Sequence, residues 1–192
     1  MKFIVDDMFG NVARWLRTLG YDAIYAGSLS SDIKEKKPMS ENELIEQCLN
    51  EHRILITRDI KLITSLEVKF FKKMEESPEE YERFEMAIPI EYGIIAPCIF
   101  LRDTKIMDGM KKIYQEFHID LLYDTNKSRC SKCNAKIIKV KRKEDYKNLI
   151  PEGVYNYQKD FWICPNKNCE QIYWKGIHVK SFAEKLKNLR SN

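Results

Sequence analysis

Three apolar segments of this 192-residue chain are followed by an aspartate. Asp6 follows the run KFIV, Asp59 follows RILITR and Asp103 follows PCIFLR. The carboxyl ends of parallel strands meet at one edge of a sheet, where ligands bind in such folds. Clustered carboxylates repel one another unless they are protonated or bind a cation. We therefore predict a Mg²⁺ or Mn²⁺ site at this edge, where the ion would activate water and neutralise charge on a phosphate.

Each of these acids also has a simpler interpretation when taken singly. Asp59 could cap the helix that follows it, because aspartate is a preferred N-cap residue. Ser40 and Glu43 fit a capping box, so Glu43 is explained by the helix start. Glu41 occupies the first helical position, is not needed by the cap and is expected to face outward. Asp32 follows the second predicted strand and could reach the edge, although an ordinary loop acid explains it better.

Four cysteines form two pairs with the spacing of metal ligands. Cys130 and Cys133 are separated by two residues, and Cys164 and Cys169 by four. Four thiolates favour tetrahedral zinc in a closed structural site, so a small zinc ribbon is predicted. His178 could replace a ligand if the longer pair misses one. The ribbon has little apolar material, so zinc should supply much of its stability.

Strand and helix patterns alternate through the first 123 residues and would position the aspartates. Predicted strands are KFIV, DAIYA, RILIT and IIAPCIFL. Predicted helices are one with apolar residues from Phe9 to Leu19, one starting at Ser40, a short one from about Ile60, and one over 104–117. This order is typical of an α/β protein with a parallel sheet covered on both faces. Residues 67–91 are interpreted as an inserted helix or ordered loop.

A polar run, DTNKS, marks the predicted boundary between residues 1–123 and the ribbon at 124–192. The first part has 17 Lys and Arg against 22 Asp and Glu, a net charge of −5. The second has 16 against 7, a net charge of +9, which suggests a polyanionic partner. No apolar run is long enough to span a membrane, and Asp6 and Asp7 leave no room for a signal-peptide core. We therefore expect a cytoplasmic protein without a membrane partner.

Basic and aromatic side chains provide candidate contacts to nucleic acid. Lys and Arg bind phosphates by releasing counterions, and exposed aromatic rings can stack on bases. In the ribbon, Trp162 and Tyr173 could instead form the wall of a small core. The candidate phosphate contacts are Arg14, Arg17, Arg58, Lys61, Lys141, Arg142 and Lys143. Solvated surface explains Arg14 and Arg17 about equally well.

Four motifs together resemble a known family. DDMFGNVARWLRTLGYDA, SENELIEQCLNEHRILITRD, RCSKCNAKI and CEQIYWKGIH occur in this order. The chain resembles the PIN-like RNase family named for the C-terminal domain of the Mut-seven exonuclease. The resemblance implies a PIN-type three-layer α/β/α sandwich followed by a zinc ribbon, and metal-dependent cleavage of RNA. It also places the family's first three acids on Asp6, Glu41 and Asp59, while Asp103 is chosen by position alone.

The leading hypothesis is a metal-dependent endoribonuclease that uses structural Zn²⁺ and catalytic Mg²⁺ or Mn²⁺. Asp6 and Asp59 would be metal ligands, Glu41 would ligate or act on the attacking water, and the ribbon would bind RNA. The RNA could be rRNA or tRNA, and no oligomeric state is predicted. The alternative is a non-catalytic RNA- or ribosome-binding protein. A third hypothesis is an interaction adaptor built around residues 67–91. Asp7, where the family commonly has a small residue, and the longer second cysteine pair depart from the family pattern.

Overall fold

The computed structural model describes residues 1–28, 39–87, 96–102 and 105–191. The chain is divided into two compact units. The first consists of Met1–Leu16 and Tyr21–Asp120, and the second of Arg17–Gly20 and Leu121–Asn192. The short segment at residues 17–20 therefore belongs to the same unit as the cysteine pairs.

The first unit contains a four-stranded parallel sheet, as predicted. Its strands are β1 (Lys2–Val5), β2 (Asp22–Tyr25), β3 (Ile54–Thr57) and β4 (Cys98–Phe100), in the spatial order β2-β1-β3-β4. The central strands β1 and β3 are buried along almost their whole length, which explains their continuous apolar sequence. The α/β fold with a parallel sheet is thus confirmed. The fourth strand is shorter than the predicted IIAPCIFL, of which residues 94 and 95 lie outside the described part.

Five helices occur in the described part of this unit. They are α1 (Gly10–Thr18), α2 (Glu41–Asn50), α3 (Ile60–Glu76), α4 (Pro78–Ala87) and α5 (Ile106–Phe117). The predicted capping box of α2 is present: the amide of Ser40 donates to Glu43 Oε2 at 2.7 Å, and the amide of Glu43 donates to Ser40 Oγ at 3.4 Å. Helix α5 begins two residues later than predicted. Among the described residues of both units, no helix combines the length and hydropathy needed to cross a bilayer.

The helix predicted to be short after Asp59 is the longest in the described part of the chain. Helix α3 runs for 17 residues because Leu62, Leu66 and Phe70 continue a buried stripe beneath its charged side chains. It is followed by α4, whose buried Phe84 packs edge-on against Phe70 with ring centroids 5.2 Å apart. Residues 67–76 and 78–87 are therefore helical and share a small apolar core, and residues 88–91 lie outside the described part.

The second unit contains a three-stranded antiparallel sheet in the order β5-β6-β7. Its strands are β5 (Ile138–Lys139), β6 (Phe161–Ile163) and β7 (Ile172–Trp174). One side of this sheet packs against the four cysteines and the other against a separate apolar cluster that contains Ile150. The structure adds β7, a 3₁₀ helix at Lys143–Leu149, and helices α6 (Glu152–Tyr157) and α7 (Ile177–Ser191), none of which we predicted.

Candidate active site and metal centre

Asp6 lies directly after β1 at the carboxyl edge of the parallel sheet. Its amide donates to Ile56 O at 3.0 Å, which continues the pairing of β1 with β3 by one residue. Its Oδ1 accepts from the amide of Asp7 at 2.7 Å and caps the 3₁₀ turn that follows the strand. Its Oδ2 accepts from the hydroxyl of Thr57 at 2.6 Å. Both carboxylate oxygens are therefore held in place by groups at the ends of two neighbouring strands.

Thr57 links the two aspartates of this edge and was missed by the sequence analysis. It is the last residue of β3 and is completely buried. Its Oγ1 donates to Asp6 and also accepts from the amide of Asp59 at 3.0 Å. A threonine hydroxyl has one proton and two lone pairs, so it can make both bonds at once. The available signal was a single polar residue at the end of an otherwise apolar strand, because a buried hydroxyl requires partners.

Asp59 is the N-cap of α3, as its simpler interpretation proposed. Its Oδ1 accepts from the amides of Lys61 at 2.8 Å and Leu62 at 3.3 Å. Within the described part of the chain, its Oδ2 has no hydrogen-bond or ion-pair partner. Capping and metal binding are therefore compatible, because the cap uses one oxygen and the other stays available.

The other proposed acids are not joined to this pair. Glu41 is exposed at the first position of α2, and no bond within the described residues connects it to Asp6 or Asp59. Asp103 and Asp32 lie outside the described residues. Among the residues that are described, acidic groups do not form a set of three or more converging ligands. The structure thus brings together Asp6 and Asp59 through Thr57, and the catalytic roles of all four acids stay predictions.

The four paired cysteines converge on one point. Their Sγ atoms all lie within 4.8 Å of one another, with 3.6 Å between Cys130 and Cys169 and 3.2 Å between Cys133 and Cys164. Tetrahedral zinc with Zn–S bonds of about 2.3 Å places sulfurs roughly 3.8 Å apart. Four thiols at this separation fit a structural zinc ion. The side chain of His178 lies outside the described part, and four ligands converge without it.

The first cysteine loop is closed by its own backbone. The amide of Cys130 donates to Ala135 O at 2.7 Å, and the amide of Asn134 donates to Cys130 O at 2.9 Å. The amide of Cys133 points at Cys130 Sγ from 3.4 Å. Asn134 has a left-handed backbone with φ of 68°, which asparagine tolerates better than most residues. This tight turn sets both sulfurs on the same side of the loop.

The second loop repeats this geometry with two additional residues. Here Asn166 takes the place that Cys130 has in the first loop, because Asn166 O accepts from the amide of Glu170 at 2.9 Å. Glu170, like the residue after Cys133, is left-handed, with φ of 43°. The amide of Cys164 donates to Gln171 O at 3.0 Å and closes the larger loop. The longer spacing of the second pair is therefore accommodated without loss of the ligand cluster.

Tyr173 holds the sulfur of Cys130 from outside the cluster. Its hydroxyl accepts from the amide of Ser131 at 3.0 Å and lies 3.1 Å from Cys130 Sγ. Burial would raise the pKa of Cys130, but hydrogen bonds from Tyr173 and from nearby backbone amides outweigh it and bring the pKa to about 7. Burial raises the pKa of Cys169 to about 11. Zinc binding would therefore have to displace protons from the cluster.

Five of the seven predicted phosphate contacts are exposed, and Arg17 and Lys143 are not. Arg17 is only 5% exposed, and its Nη1 donates to Ser131 O at 3.0 Å and Lys132 O at 3.1 Å. Burying a guanidinium without partners would destabilise the fold, so these two carbonyl acceptors explain why Arg17 can be buried. The structure therefore gives Arg17 a structural role in place of the predicted RNA contact. Lys143 is half-buried and donates to Tyr155 O at 2.9 Å. The exposed candidates are Arg14, Arg58, Lys61, Lys141 and Arg142.

The aromatic side chains of the ribbon lie mainly in its apolar core. Trp162 and Phe161 are buried, and Tyr173 packs against the cysteine cluster. The interpretation of Trp162 and Tyr173 as walls of a small core is therefore confirmed. Tyr157, which is 86% exposed, keeps a free face for stacking.

A parallel α/β sheet with capped carboxylates at one edge, together with a four-cysteine ribbon, defines the class suggested by the sequence motifs. The family model described as Mut7-C RNAse domain matches residues 1–186. The chain belongs to this family and is a ribonuclease, so its substrate is RNA. Searches of curated proteins and of solved structures gave no match.

Proposed function

We propose that this ribonuclease is a metal-dependent endonuclease whose active site lies at the carboxyl edge of the parallel sheet. The observation that carries the proposal is the hydroxyl of Thr57, which holds the carboxylate of Asp6 and the backbone of Asp59 at adjacent strand ends. A fully buried side chain that fixes two acids supports a role beyond solvation of the strand ends. Asp103, which follows β4 in the sequence and lies outside the described residues, would complete the acidic edge.

The donor set suits a hard divalent cation. Carboxylate oxygens are preferred ligands of Mg²⁺ and Mn²⁺, and Mg²⁺ is often held by only one or two protein carboxylates. Asp6 and Asp59 would hold the ion, which supplies activation of water and neutralisation of phosphate charge when bound. Glu41 would bind the ion or accept the proton of the attacking water. The hydroxyl of Thr57 would hold the carboxylate of Asp6 in position.

Basic side chains would bind the RNA backbone. Arg58 and Lys61 flank Asp59 in the sequence and are exposed, and Arg14 is exposed on α1. In the ribbon, Lys141, Arg142 and Lys143 would add phosphate contacts, consistent with the net charge of +9 that 16 basic and 7 acidic residues give to positions 124–192. Such contacts hold RNA without reading its sequence.

The test is cleavage of labelled single-stranded and structured RNA by the wild type and by Asp59→Asn, with Mn²⁺ or with EDTA. Asparagine is also a good N-cap, so this variant removes the charge while keeping the start of α3. We expect cleavage by the wild type only with metal, and a rate at least about a hundredfold lower in the variant. Asp108→Asn, an exposed acid in the first turn of α5, is the matched control and should cleave normally.

Equal rates for the wild type and Asp59→Asn would reject the acidic edge as the active site. Tight RNA binding by both proteins without any cleavage would instead support the alternative of a non-catalytic RNA- or ribosome-binding protein. Internal products of defined length would support endonucleolytic cutting, whereas products shortened one nucleotide at a time would contradict it.

A further inference from the structure

We propose that a patch on the ribbon, formed by Asp160 and three lysines near it, binds the phosphate backbone of single-stranded RNA. The patch consists of Lys139, Lys159, Lys175 and Asp160. The inference rests on the proposed RNA binding by the ribbon and specifies which residues perform it. It moves the main contact away from Lys141, Arg142 and Lys143.

Two of the lysines converge on one aromatic ring. Lys139 is paired with Trp162 across strands β5 and β6, and its Nζ lies 5.9 Å from the centroid of that ring. Lys175 follows β7, and its Nζ lies 5.6 Å from the same centroid. The indole itself is only 4% exposed, so it can hold the ammonium groups but cannot stack on a base. A buried tryptophan thus fixes two exposed cations on one side of the sheet.

Asp160 shows that an anion is stabilised at this position. Its Oδ1 accepts from Lys139 Nζ at 2.7 Å, with both side chains more than half exposed. The hydrogen bond from Lys139 lowers the pKa of Asp160, and the charges of Lys139, Lys175 and Lys159 lower it further. All three lysines therefore act on one carboxylate. Three cations around one acid leave a local excess of positive charge, which a phosphate group can satisfy.

Preorganisation makes this patch better suited to RNA than a flexible basic loop. A free lysine loses substantial side-chain entropy when it is fixed by a ligand. Here the ring of Trp162 has already restricted Lys139 and Lys175, so less entropy is lost when a phosphate binds. Since the neighbouring aromatic rings are buried, the contacts would be to phosphates and would not depend on base identity.

The loop at residues 141–143 has a smaller excess of positive charge, because its three cations precede two acids, Glu144 and Asp145, whereas the patch has three lysines and one acid. Arg142 forms an ion pair with Asp145 at 3.8 Å. The ammonium group of Lys143 lies 4.4 Å from the ring centroid of Tyr155 and also donates to the carbonyl oxygen of that residue. Lys141 alone keeps its full charge exposed without such a contact within the described part of the chain. We therefore expect this loop to contribute less to RNA binding than the patch.

The experiment measures fluorescence anisotropy of a labelled oligouridylate of about 12 nucleotides, bound by the full-length, zinc-loaded chain. Every protein carries Asp59→Asn, so cleavage does not interfere. In this background, Lys139→Ala/Lys175→Ala should weaken binding about tenfold at low salt and reduce the salt slope by about 1.4, or about 0.7 for each lost phosphate contact. Lys139→Arg/Lys175→Arg should retain both the affinity and the salt slope of the Asp59→Asn parent. Zinc content checks that each variant is folded.

Three further variants distinguish the effect of this patch from a general effect of positive charge. Asp160→Asn should tighten binding about threefold, because it removes the carboxylate that competes with RNA phosphate. Lys141→Ala/Arg142→Ala should weaken RNA binding less than Lys139→Ala/Lys175→Ala does. Lys72→Ala/Lys105→Ala removes two exposed charges from the first unit and should leave binding unchanged.

Unchanged affinity in Lys139→Ala/Lys175→Ala, weaker binding by Asp160→Asn, or a larger loss in the variant of the loop would each overturn the assignment. These results are separate from the test of the acidic edge. If the Asp59→Asn chain binds no oligouridylate even at low salt, RNA binding by the ribbon is rejected. Cleavage by the wild type would still support the active site in that case.

Discussion

The two units present candidate metal ligands in different ways. In the ribbon, four sulfurs already converge within 4.8 Å, and backbone hydrogen bonds close both cysteine loops around them. At the acidic edge, Asp6 and Asp59 are fixed through one hydroxyl, and the described residues add no third converging acid. The ribbon is built as a complete ligand set, whereas the edge presents a few oxygens with free lone pairs.

This is the difference expected if the ribbon binds structural zinc and the acidic edge binds the proposed Mg²⁺ or Mn²⁺. Structural zinc takes all four ligands from the protein, so the chain must bring four side chains to one point. Mg²⁺ keeps several waters and needs only one or two carboxylates, and a catalytic site must leave positions for water and substrate. An incomplete set of oxygens is therefore what a catalytic centre requires, and it should exchange its ion far more readily than the ribbon.

The largest effect is expected from removing one sulfur of the complete set. Cys164→Ser should abolish stable zinc binding and unfold the ribbon, because zinc binding supplies about 10–16 kcal/mol in small zinc modules. Zinc content by mass spectrometry and the near-ultraviolet circular dichroism of the tryptophans measure this. Cys98→Ser is the matched control, since Cys98 lies outside the cluster and should leave zinc in place. A full zinc complement in Cys164→Ser would contradict the four-ligand site.

Brief treatment with EDTA should separate the two sites. We expect cleavage to fall at least about a hundredfold and to return on addition of Mn²⁺, because ions bound by few carboxylates exchange easily. Zinc measured in the same samples should remain bound to the closed thiolate cluster. Loss of zinc in step with activity would show that the two centres do not differ in this way.

Replacing Thr57 tests whether the acidic edge depends on positioning. Thr57→Val keeps the shape of the buried side chain but leaves the amide of Asp59 and one oxygen of Asp6 without a partner. We expect a loss of about 1–3 kcal/mol in the free energy of unfolding, measured in urea, and a roughly tenfold lower cleavage rate. Thr64→Val serves as the control, because that hydroxyl donates to Ile60 O on the exposed surface of α3. Equal cleavage rates for Thr57→Val and Thr64→Val would show that Thr57 does not position the catalytic acids.

The smallest effect is expected from the hydroxyl that supports the zinc site. Tyr173→Phe removes the hydrogen bond to Cys130 Sγ while the ring stays in place. Loss of such an outer contact typically weakens metal affinity by about 10–100-fold, which competition with a zinc chelator can measure. Tyr155→Phe, in the cluster on the other side of the sheet, should have no effect on zinc. An unchanged zinc affinity in Tyr173→Phe would show that the four sulfurs bind zinc without help from the Tyr173 hydroxyl.

The sequence predicted those parts of the fold in which local pattern and tertiary packing agree. Strands β1 and β3 and the capping box of α2 were recognisable because their apolar runs and polar ends lie within a few residues. Strand β7 was missed because its three residues are stabilised by pairing with β6. The length of α3 was missed because its charged residues conceal a buried stripe at every fourth position.

The candidate site shows the same division. The cysteine spacing predicted a ligand cluster, yet the sequence did not show how Asn166 accommodates the longer loop. Nor did it indicate that Thr57 would donate to an aspartate 51 residues earlier in the chain. Such bonds depend on which strands become neighbours, and spacing alone does not contain that information. Arg17 was misread for the same reason, since its partners lie beyond residue 130.

The burial of Arg17 imposes an order of events on synthesis of the chain. Its guanidinium binds a carbonyl 114 residues later in the sequence, so it leaves the ribosome long before this partner exists. At 5–20 residues per second the interval is on the order of 10 seconds. The end of α1, which belongs to the second unit, must therefore stay solvated while the first unit is being made. Its charge can be buried only when the first cysteine loop has formed.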